Sequence, residues 1–492
     1  MKNFNFTPKY IKADILGSIG KAALGFTMLA YGSAIFALPA MADEWSMPDD
    51  YNRFKAYDQT VFYDGYLTST VVDADKEDGI VRFTNYHYTR PLDTEAVLNL
   101  GQDLQMEVLI NAMCDNYDRM GRVMLAFPQS GSATYDPEST ERIEIARFIT
   151  PFMNKNRIPW GVPYIYEIDD VRQILSDSQL LEGRDVWLEV EVFGVPYAAN
   201  TQVAGCGGHN DVFAASVTFG GHLPVARAHD RLSASEANVV LTPINVSKCE
   251  IFGNVNLNNY RPEATDTIGT TSKTYRFNVD SDLEDARINL ILTNHGAAEN
   301  GEEYVRRQHL VYVDGEIALV YTPGGVSCEP YRIYNTQPNG IYMNTPQDDW
   351  EEWNNWCPGQ AVPTRRISLG ALKAGEHSLM IRVPDAEFYG ADGDFRPSAY
   401  LQGVKKGSVN APSEVEGIFD DSGISMKVVG KEVRFPTDAN VSEIRVYSYD
   451  GRLLEGRYNP GSSYSFAHLS AGQYIIVATS ESGHTSFVKV LN

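Results

Sequence analysis

The chain has 492 residues and a formal net charge of −23 at pH 7. A surface this acidic repels phosphate backbones and anionic lipids, so the composition argues against nucleic-acid binding. At roughly 150 residues per domain, the length predicts two or three domains, each large enough to bury its own core.

The first segment, residues 1–42, has the features of an export signal. Four lysines precede an apolar run at 22–38, which is followed by Ala-Met-Ala at 40–42. A charged start, an apolar stretch and an A-x-A site are typical of a secretory signal peptide. We therefore predict that the mature chain begins near Asp43 and is exported. No later stretch reaches the roughly 18 to 20 apolar residues of a membrane-spanning helix, so we predict no membrane span.

Alternation of apolar and polar residues predicts strands along most of the chain. This period of two is typical of half-buried strands. Asp314-Gly315 separates two further apolar runs, which is a strong signal for a β-hairpin. In chain order, the alternation is clearest in "LQMEVLINAM" (104–113), "VWLEVEVFG" (186–194), "INLILTN" (288–294) and "HSLMIRV" (377–383).

Helical periodicity is confined to short pieces such as 169–175 and 233–239. Many short strands with glycine-rich and proline-rich connections favour antiparallel β-sandwiches over a parallel α/β sheet. The predicted fold class is therefore all-β. The predicted segments are the signal peptide at 1–42, a first sandwich at 43–218, a second at 219–404, a linker at 405–423 and a small C-terminal β domain at 424–492.

The number of cysteines limits how many disulfides the chain can form. Five cysteines in an exported protein allow at most two disulfides and leave one thiol, and their spacing leaves the pairs open. The sequence contains no C-x-x-C, H-E-x-x-H, Walker A, G-x-G-x-x-G or G-x-S-x-G motif, so no metal or nucleotide cofactor is predicted. The five are Cys114, Cys206, Cys249, Cys328 and Cys357.

Three acidic residues stand out because they lie in strand contexts beside arginine or aromatic residues. They are Asp118 in "CDNYDR", Glu191 in "EVEVF" and Glu303 in "GEEYVRRQH". By alternation, Glu191 shares one strand face with Glu189 and Phe193, and the intervening apolar residues face the core. For each acid taken alone, a solvated position on the outer face of a sheet is the alternative.

The stretch "WCPGQAVPTRR" at 356–366 is too rich in proline and glycine for a helix or a long strand. Cys357, Pro358 and Pro363 stiffen it, so it could present Arg365 or Arg366 at a fixed place as a donor to an oxyanion or carbonyl.

Three tryptophans in or just before this stretch, Trp350, Trp353 and Trp356, offer flat faces for stacking on sugar rings. The alternative is a disulfide-braced surface loop with its tryptophans packed into the sandwich.

The chain from about 57 to 404 resembles the peptide-N-glycosidase F family, the amidases that remove N-linked glycans from asparagine. The residues that carry the resemblance are "CDNYDR", "ARFITPF", "RQHLVYVDG" and "WCPGQAVPTR". The resemblance implies two eight-stranded antiparallel jelly-roll sandwiches side by side, with the active site in the cleft between them. It also implies no cofactor and, as substrates, N-glycosylated peptides and glycoproteins.

Carried over motif by motif, the resemblance implies a set of catalytic acids. The essential aspartate falls on Asp118, the candidate base, and Arg119 is expected to keep it ionised and ordered. The second-strand glutamate falls on Glu191, which is expected to hold sugar or peptide. Glu303 lies six residues before the motif residue His309 and is expected to help orient the amide and the reducing-end sugar.

The same resemblance implies binding and structural residues. Arg365, the arginine of P-T-R, is expected to lie against the scissile amide on a loop braced by a Cys328–Cys357 disulfide. Phe193 stands where the family has a tryptophan beside the core sugars, and Trp356 is a further candidate for substrate binding. Two alternatives stay open: an endo-glycosidase that cuts within the glycan core, and a non-catalytic glycan-binding surface protein.

The last seventy or so residues resemble the C-terminal sorting domain of the bacterial type IX secretion pathway. The resemblance lies in Val446-Tyr447, in "DGRLL" at 450–454, in "LSAGQY" at 469–474 and in the last strand. It implies passage through the periplasm and across the outer membrane, with the tail either removed or used for attachment. It also implies type IX machinery as a partner and a secreted or cell-surface location. A small β module that binds or spaces is the alternative. We expect a monomer.

Overall fold

The computed structural model describes residues 47, 51–67, 79–196, 198–222, 239–244, 271–296, 302–337, 346–351, 355–386, 394–406, 424, 426–429, 431–436, 439–448, 453–480 and 485–492. The predicted signal peptide, residues 407–423 of the predicted linker, and the side chains of Cys249 and Trp353 lie outside these residues. The same is true of residues 233–238, for which the sequence predicts a helix.

The first sandwich is an antiparallel jelly roll. One sheet has the order β1-β9-β4-β7 and the facing sheet has the order β15-β6-β5-β8-β3-β2, where β15 comes from later in the chain. The strands are β1 (Asn52–Tyr63), β2 (Val81–Arg82), β3 (His87–Pro91), β4 (Gln102–Ala112), β5 (Met120–Ala126), β6 (Arg142–Ile149), β7 (Gly161–Glu167), β8 (Trp187–Val192), β9 (Asp211–His222) and β15 (Ala361–Val362).

The second sandwich repeats this order. Its sheets are β10-β18-β12-β16 and β11-β17-β13-β14. When the short strands β2 and β15 are set aside, both sandwiches pair their first, eighth, third and sixth strands in one sheet and their second, seventh, fourth and fifth in the other, as a jelly roll does. The strands are β10 (Val239–Ile244), β11 (Ser272–Val279), β12 (Leu283–His295), β13 (His309–Val313), β14 (Glu316–Tyr321), β16 (Arg365–Leu372), β17 (Gly375–Arg382) and β18 (Asp394–Lys405).

The C-terminal module is a smaller antiparallel sandwich with its own apolar core. A three-stranded sheet, β19-β20-β23, faces a four-stranded sheet, β22-β21-β24-β25. The strands are β19 (Lys427–Val429), β20 (Glu432–Arg434), β21 (Val441–Ser448), β22 (Leu453–Tyr458), β23 (Ser463–Ser465), β24 (Gln473–Ser480) and β25 (Thr485–Leu491).

Helices in the described residues are short. The predicted helical piece at 169–175 is confirmed as α2, which buries Val171, Ile174 and Leu175 against the first sandwich. The helices are α1 (Thr94–Leu98), α2 (Asp169–Ser176), α3 (Ala199–Gln202) and α4 (Gln347–Glu351), with a 3-10 helix at Glu329–Tyr334. In the described part of the chain, no helix has both the length and the apolar character that a membrane span needs. The all-β prediction is confirmed.

The hairpin at Asp314-Gly315 is confirmed in detail. Both residues have positive φ, at 52° and 79°, as the central positions of a type I′ turn require, and glycine adopts such angles without a Cβ penalty. Val313 and Glu316 close the turn as facing residues of β13 and β14. The turn therefore fixes the register of these two strands.

The two sandwiches meet along a seam that the stretch at 356–366 crosses. Ala361 and Val362 form β15 and pair with β6, whereas Arg365 opens β16 and pairs with Leu290 of the second sandwich. The chain therefore adds one strand to each sandwich within six residues. A buried apolar group, which we call the seam cluster, packs here and consists of Ile149, Ile291, Trp356 and Val362 with the half-buried Met120.

The C-terminal module packs against the second sandwich. A second buried group, which we call the docking cluster, joins β13 and β14 to β21 and β24. An ion pair of 3.0 Å between Lys489 and Glu316 lies beside it. A small separate domain was predicted here, and the module does have its own core, but its outer sheet face is buried on the second sandwich. The docking cluster consists of Leu310, Tyr312, Ile317, Val320, Tyr447, Ile475 and Val477.

Candidate functional site

Asp118 lies in the loop between β4 and β5, and Thr150 fixes the backbone on both sides of it. The Thr150 hydroxyl accepts from the Arg119 N–H at 2.7 Å and donates to the Tyr117 carbonyl at 3.1 Å. The Thr150 N–H donates to the Arg119 carbonyl at 2.7 Å. Three hydrogen bonds to one residue leave Asp118 in a defined position at the start of β5.

Asp115 also holds this loop in place, although the sequence analysis did not single it out. Its buried carboxylate accepts from Arg119 Nε at 2.7 Å, from the Val195 N–H at 2.7 Å and from the Tyr117 N–H at 3.0 Å. Burial raises the pKa of Asp115, and these donors oppose the increase. Because Asp115 has more N–H donors than Asp118, a negative charge is better stabilised on Asp115 than on Asp118. Arg119 is therefore chiefly the counter-ion of Asp115.

The pKa of Asp118 is therefore higher than expected for an aspartate that Arg119 keeps ionised. Desolvation raises the pKa of Asp118 to about 7, although the Arg119 guanidinium lowers it, and the neighbouring Asp115 charge raises it further. One cation cannot fully compensate both the buried carboxylate of Asp115 and the half-buried one of Asp118. Arg119 was expected to keep Asp118 ionised. It opposes protonation but does not overcome burial, so Asp118 titrates near neutral pH.

Glu191 lies on β8, and its environment has the opposite effect. Burial alone would raise its pKa, but the charge of Arg122, whose Nη2 donates to Glu191 Oε2 at 2.8 Å, and the charges of His87 and Arg142 lower it overall. The predicted alternation is confirmed, because Leu188, Val190 and Val192 are buried in the core of the sandwich while Glu191 points to the other face. The alternative of a solvated glutamate is wrong here, since only 13% of the side chain is exposed.

Glu189, two residues earlier on the same strand face, is the centre of a buried polar group. Its carboxylate contacts His87 Nε2 at 2.7 Å, the Tyr135 hydroxyl at 2.7 Å and Arg142 Nη1 at 3.1 Å. Burial pushes the pKa of Glu189 upward, but hydrogen bonds and charge from His87 and Arg142 lower it overall. This face of the sheet therefore holds two ionised glutamates in a network of cations.

The same polar row continues across the seam through Arg147 of β6. Arg147 forms a buried ion pair with Glu144 and donates from Nη1 to the Thr293 hydroxyl at 2.9 Å and to the Arg396 carbonyl at 2.6 Å. Thr293 in turn lies 2.9 Å from His295 Nε2. A charged residue of the first sandwich thus binds the ends of two strands in the second.

Glu303 lies in the turn before β13, and its backbone and carboxylate are both held. The Asn355 side-chain amide donates to the carbonyls of Glu302 and Glu303 at 2.6 and 2.7 Å, and the Gly296 N–H donates to Glu303 Oε2 at 3.2 Å. The side chain is buried, so the solvated alternative is wrong for Glu303 as well. The neighbouring Glu302 forms an ion pair with Arg307.

The stiff stretch at 356–366 braces Glu303. Cys357 forms the expected disulfide with Cys328. The next residue back, Trp356, is buried in the seam cluster and donates its indole N–H to the Asn294 carbonyl at 3.0 Å. Asn355, one residue earlier, binds the turn of Glu303. The prediction that Trp356 stacks on sugar is wrong, because 5% exposure leaves no ring face for a ligand; the packed alternative is what the structure has.

The two arginines of this stretch point to opposite sides. The Arg365 guanidinium lies 3.8 Å from the centre of the Tyr321 ring, which stacks on His309. Arg366 turns to the first sandwich, where it forms an ion pair with Asp170 of α2. Burial and the Arg365 charge lower the pKa of His309 to about 3, so this histidine is neutral. Arg365 is thus set by an aromatic platform inside the second sandwich.

Phe193 belongs to an aromatic group at the end of β8. Its ring makes edge contacts with Tyr66 and Tyr86, at centroid distances of 5.5 and 5.3 Å. The Tyr66 side chain is 61% exposed. Gly65 is required here, because a Cβ at that position would come within 2.4 Å of the Phe193 ring. The group presents aromatic faces two residues beyond Glu191.

A second disulfide stiffens the Asp118 loop. Cys114 pairs with Cys206, a pairing that the sequence left open. It ties the end of β4 to the segment after α3. Cys114 also belongs to the one group of potential metal ligands found in the described residues, with His209 and Asp211. Its sulfur is bonded to Cys206 and is not a free thiolate, so this group does not make a metal site.

Two family models match the sequence. "Peptide-N-glycosidase F, N terminal" covers residues 57–206 and "Peptide-N-glycosidase F, C terminal" covers residues 264–402. Together they cover more than half of the chain. A search of curated proteins found no match.

Solved structures give more distant similarities. PNGF-II is 18% identical over 72% of this chain and 66% of its own, with a TM-score of 0.49. PNGase F from Flavobacterium meningosepticum is 17% identical over 73% of this chain and 96% of its own, with a TM-score of 0.43. This chain thus spans about two thirds of the length of PNGF-II. Similarity at this level carries no argument about the activity of this chain.

Proposed function

Because the chain belongs to the peptide-N-glycosidase F family, we propose that it is an exported amidase that acts on N-linked glycopeptides and glycoproteins. The enzyme hydrolyses the amide bond between the innermost N-acetylglucosamine and asparagine. The peptide product carries aspartate, and the glycan leaves as a glycosylamine. The reaction consumes one molecule of water, and the family resemblance implies no cofactor.

The proposal rests on the family match and on the fixed position of Asp118 in its loop. Desolvation there raises the pKa of Asp118 to about 7, which is consistent with this role. A general base is most effective when its pKa lies near the working pH. Asp118 accepts a proton from water while the water oxygen attacks the side-chain carbonyl carbon of asparagine. The carbon–nitrogen bond then breaks, and the proton passes to the leaving nitrogen. Asp118 is held for this step by the hydrogen bonds to Thr150 on both sides of it.

The remaining groups orient the substrate and stabilise charge. Arg365 and Arg119 offer guanidinium donors to the oxyanion that develops on the carbonyl. Glu303 orients the amide and the reducing-end sugar, and the ionised Glu191 accepts hydrogen bonds from sugar or peptide. Phe193, with Tyr66 beside it, provides an aromatic face for the core sugars.

A glycosidase that cuts within the glycan core is the second candidate, and one observation favours it. A carboxyl with a raised pKa and an ionised carboxylate in one site is the acid and base arrangement of glycoside hydrolysis. The pKa of Asp118 is raised and that of Glu191 is lowered, and the strand that follows Asp118, β5, pairs with β8, which carries Glu191. The two reactions leave different products on the peptide.

Mass spectrometry of a defined glycopeptide separates these candidates. In water enriched in heavy oxygen, the amidase gives free glycan and a peptide whose asparagine has become aspartate with one heavy oxygen. The glycosidase leaves a sugar on an unchanged asparagine. A glycopeptide that is bound and left intact, across several glycan types, would instead identify a non-catalytic glycan-binding protein.

Export is the other part of the proposal. The signal-like start at 1–42 supports it, and so do two disulfides, which form and persist in oxidising compartments. The C-terminal module resembles a type IX sorting domain, which implies release or attachment at the outer surface. Fractionation of the producing cells tests this: protein found only in the cytoplasm would contradict it.

A further inference from the structure

A cleft of about 470 Å³ separates the second sandwich from the C-terminal module. The second sandwich lines it with Val305, Arg306, Arg307 and Asp385, and the C-terminal module lines it with Glu443, Arg445, Gly456 and Tyr458. Its volume lies within the roughly 300 to 1,000 Å³ of small-molecule sites. Neither the family models nor the predicted site residues include its C-terminal wall, because the matched region ends at residue 402.

The docking cluster keeps the two walls together. Tyr447 and Ile475 are fully buried from the module side, and Leu310 and Val320 are buried from the sandwich side. Burial of large apolar side chains is the main stabilising contribution to such contacts, so the seven residues of the docking cluster hold the module on the second sandwich. On β21, Glu443, Arg445 and Tyr447 share one face by alternation. The cleft is therefore a continuation of the docked surface.

The cleft begins where the candidate active site ends. The carboxylate of Glu303 accepts a hydrogen bond from the Gly296 N–H. Arg306, three residues later, lines the cleft. Three residues span at most about 11 Å. The Asn355 amide binds the carbonyls of Glu302 and Glu303 and reaches that of Val305 at 3.5 Å. One short segment, which Asn355 holds in place, therefore carries Glu303 at its start and the residues of the cleft wall at its end.

The chemistry of the lining suits a neutral ligand rich in hydroxyl groups. Arg307 is bound to Glu302 and Arg445 to Glu443, at 3.1 and 2.9 Å. The lining also holds Arg306 and Asp385, one charge of each sign. Ion pairs at a surface present both donors and acceptors with little net charge. The Tyr458 ring is 73% exposed on the edge strand β22, and an aromatic ring offers an apolar face with a polar tip. A sugar uses all three features.

We propose that the C-terminal module is part of the substrate site and that this cleft binds sugars of the N-glycan beyond the innermost pair. The inference rests on the proposed function for the position of the glycan at Glu303. It makes the module a determinant of glycan preference as well as a candidate for sorting.

Gly456→Phe tests the cleft directly. A Cβ at Gly456 would meet only the Ile444 carbonyl oxygen, at 3.9 Å, so the ring can enter the cleft without a clash in the core. Arg457→Phe is the matched control, because residue 457 points to the opposite face of the same strand. Tyr458→Ala removes the exposed ring. Far-UV circular dichroism and melting temperature of the full-length variants show that each has folded.

The substrates are two glycopeptides with one peptide sequence, one bearing a complete branched glycan and one trimmed to its two innermost sugars. We expect Gly456→Phe to raise KM about tenfold for the complete glycan and to leave the trimmed one unchanged; tenfold corresponds to 1.4 kcal/mol. Tyr458→Ala should act in the same direction and more weakly. The control variant should match the wild type on both substrates.

Three results would overturn the inference. The first is no effect of Gly456→Phe on either substrate, and the second is an equal loss on both. The third is an effect that follows the length of the peptide, which would assign the cleft to peptide bound along the edge of β22. If the wild type releases no glycan at all, the proposed function fails. Calorimetric titration with free branched glycan then tests the cleft separately: binding must be weakened by Gly456→Phe, and no binding refutes it.

Discussion

Asp118 and Glu191 are both largely enclosed carboxylates of the first sandwich, yet their pKa values move in opposite directions. Desolvation is the largest effect on each and raises the pKa in both cases. Asp118 shares its nearest cation, Arg119, with a second acid, Asp115. Glu191 has Arg122 and feels His87 and Arg142 as well. Burial raises the pKa of each carboxyl, and the number of cations per acid decides whether the net shift is upward or downward.

The consequence for chemistry is a division of roles. A carboxyl that titrates near neutral pH can take and release a proton during a reaction. A carboxylate held ionised by several cations can accept hydrogen bonds but is a poor proton donor at neutral pH. This comparison supports our proposal that Asp118 moves the proton and that Glu191 orients the substrate.

The largest expected effect comes from removing the proton acceptor. Asp118→Asn should lower kcat about 10²-fold to 10⁴-fold, the usual contribution of general base catalysis, with little change in KM. Steady-state kinetics on a glycopeptide measure this. Asp136→Asn, in an exposed turn of the same sandwich, is the control and should retain full activity. A residual activity within a factor of three of the wild type would place the base elsewhere.

Removing the cation from the other acid should cost stability. Arg122→Met leaves Glu191 without its direct partner, and breaking a buried ion pair costs about 3 to 5 kcal/mol. We expect roughly half of that, because 24% of the Arg122 side chain is exposed. Urea unfolding measures the loss.

The double variant Arg122→Met with Glu191→Gln provides the check. It removes both charges, so it should recover most of the stability that Arg122→Met loses. A double variant as unstable as the single one would show that Arg122 acts through packing and not through the charge of Glu191.

Arg119→Met should lower kcat/KM, because the variant loses a donor to the oxyanion, and it should also shift the pH dependence of kcat/KM. The Arg119 charge lowers the pKa of Asp118, so its removal raises that pKa, and the alkaline plateau of kcat/KM should begin at higher pH. Glu191→Gln should leave the midpoint close to its wild-type position. The two variants compared at several pH values separate a shift in midpoint from a uniform loss. A shift of the Arg119→Met midpoint to lower pH would contradict the assignment.

A further effect concerns the dependence of stability on pH. A carboxyl whose folded pKa is raised above its unfolded value favours the fold below the unfolded pKa and loses that contribution as pH rises through the folded pKa. For Asp118 the window runs from 3.8 to about 7. Asp118→Asn should therefore raise the melting temperature above this window relative to the wild type and have little effect below it. A variant destabilised at alkaline pH would refute this.

The sequence predicted the sheets well because strand patterns and turns are local. The alternation around Glu191 gave the correct core face, and Asp314-Gly315 gave the correct hairpin. The Cys328–Cys357 pair came from the family resemblance and is confirmed. The catalytic roles of Asp118 and Glu303 stay predictions. Hydrogen bonds to Thr150 and Asn355 fix the backbone at these two residues, as a catalytic role would require.

What the sequence missed depends on contacts between distant segments. Arg122 meets Glu191 across two strands, 69 residues apart in sequence, and no local pattern reveals that partner. Trp356 was expected to face a ligand, yet its position where the chain crosses the seam buries it. The docking of the C-terminal module did leave a signal, because β13 reads His-Leu-Val-Tyr-Val and is buried on both faces, as continuous apolar strands usually are.

The pH dependence of kcat/KM for the wild type on one glycopeptide tests the central claim most directly. If Asp118 is the base and Glu191 stays ionised, kcat/KM rises along a single ionisation with a midpoint near 7, and the peptide product carries aspartate throughout. A rate that is constant from about pH 5 to pH 9, or one that falls as pH rises through 7, would show that no group with the pKa of Asp118 accepts the proton.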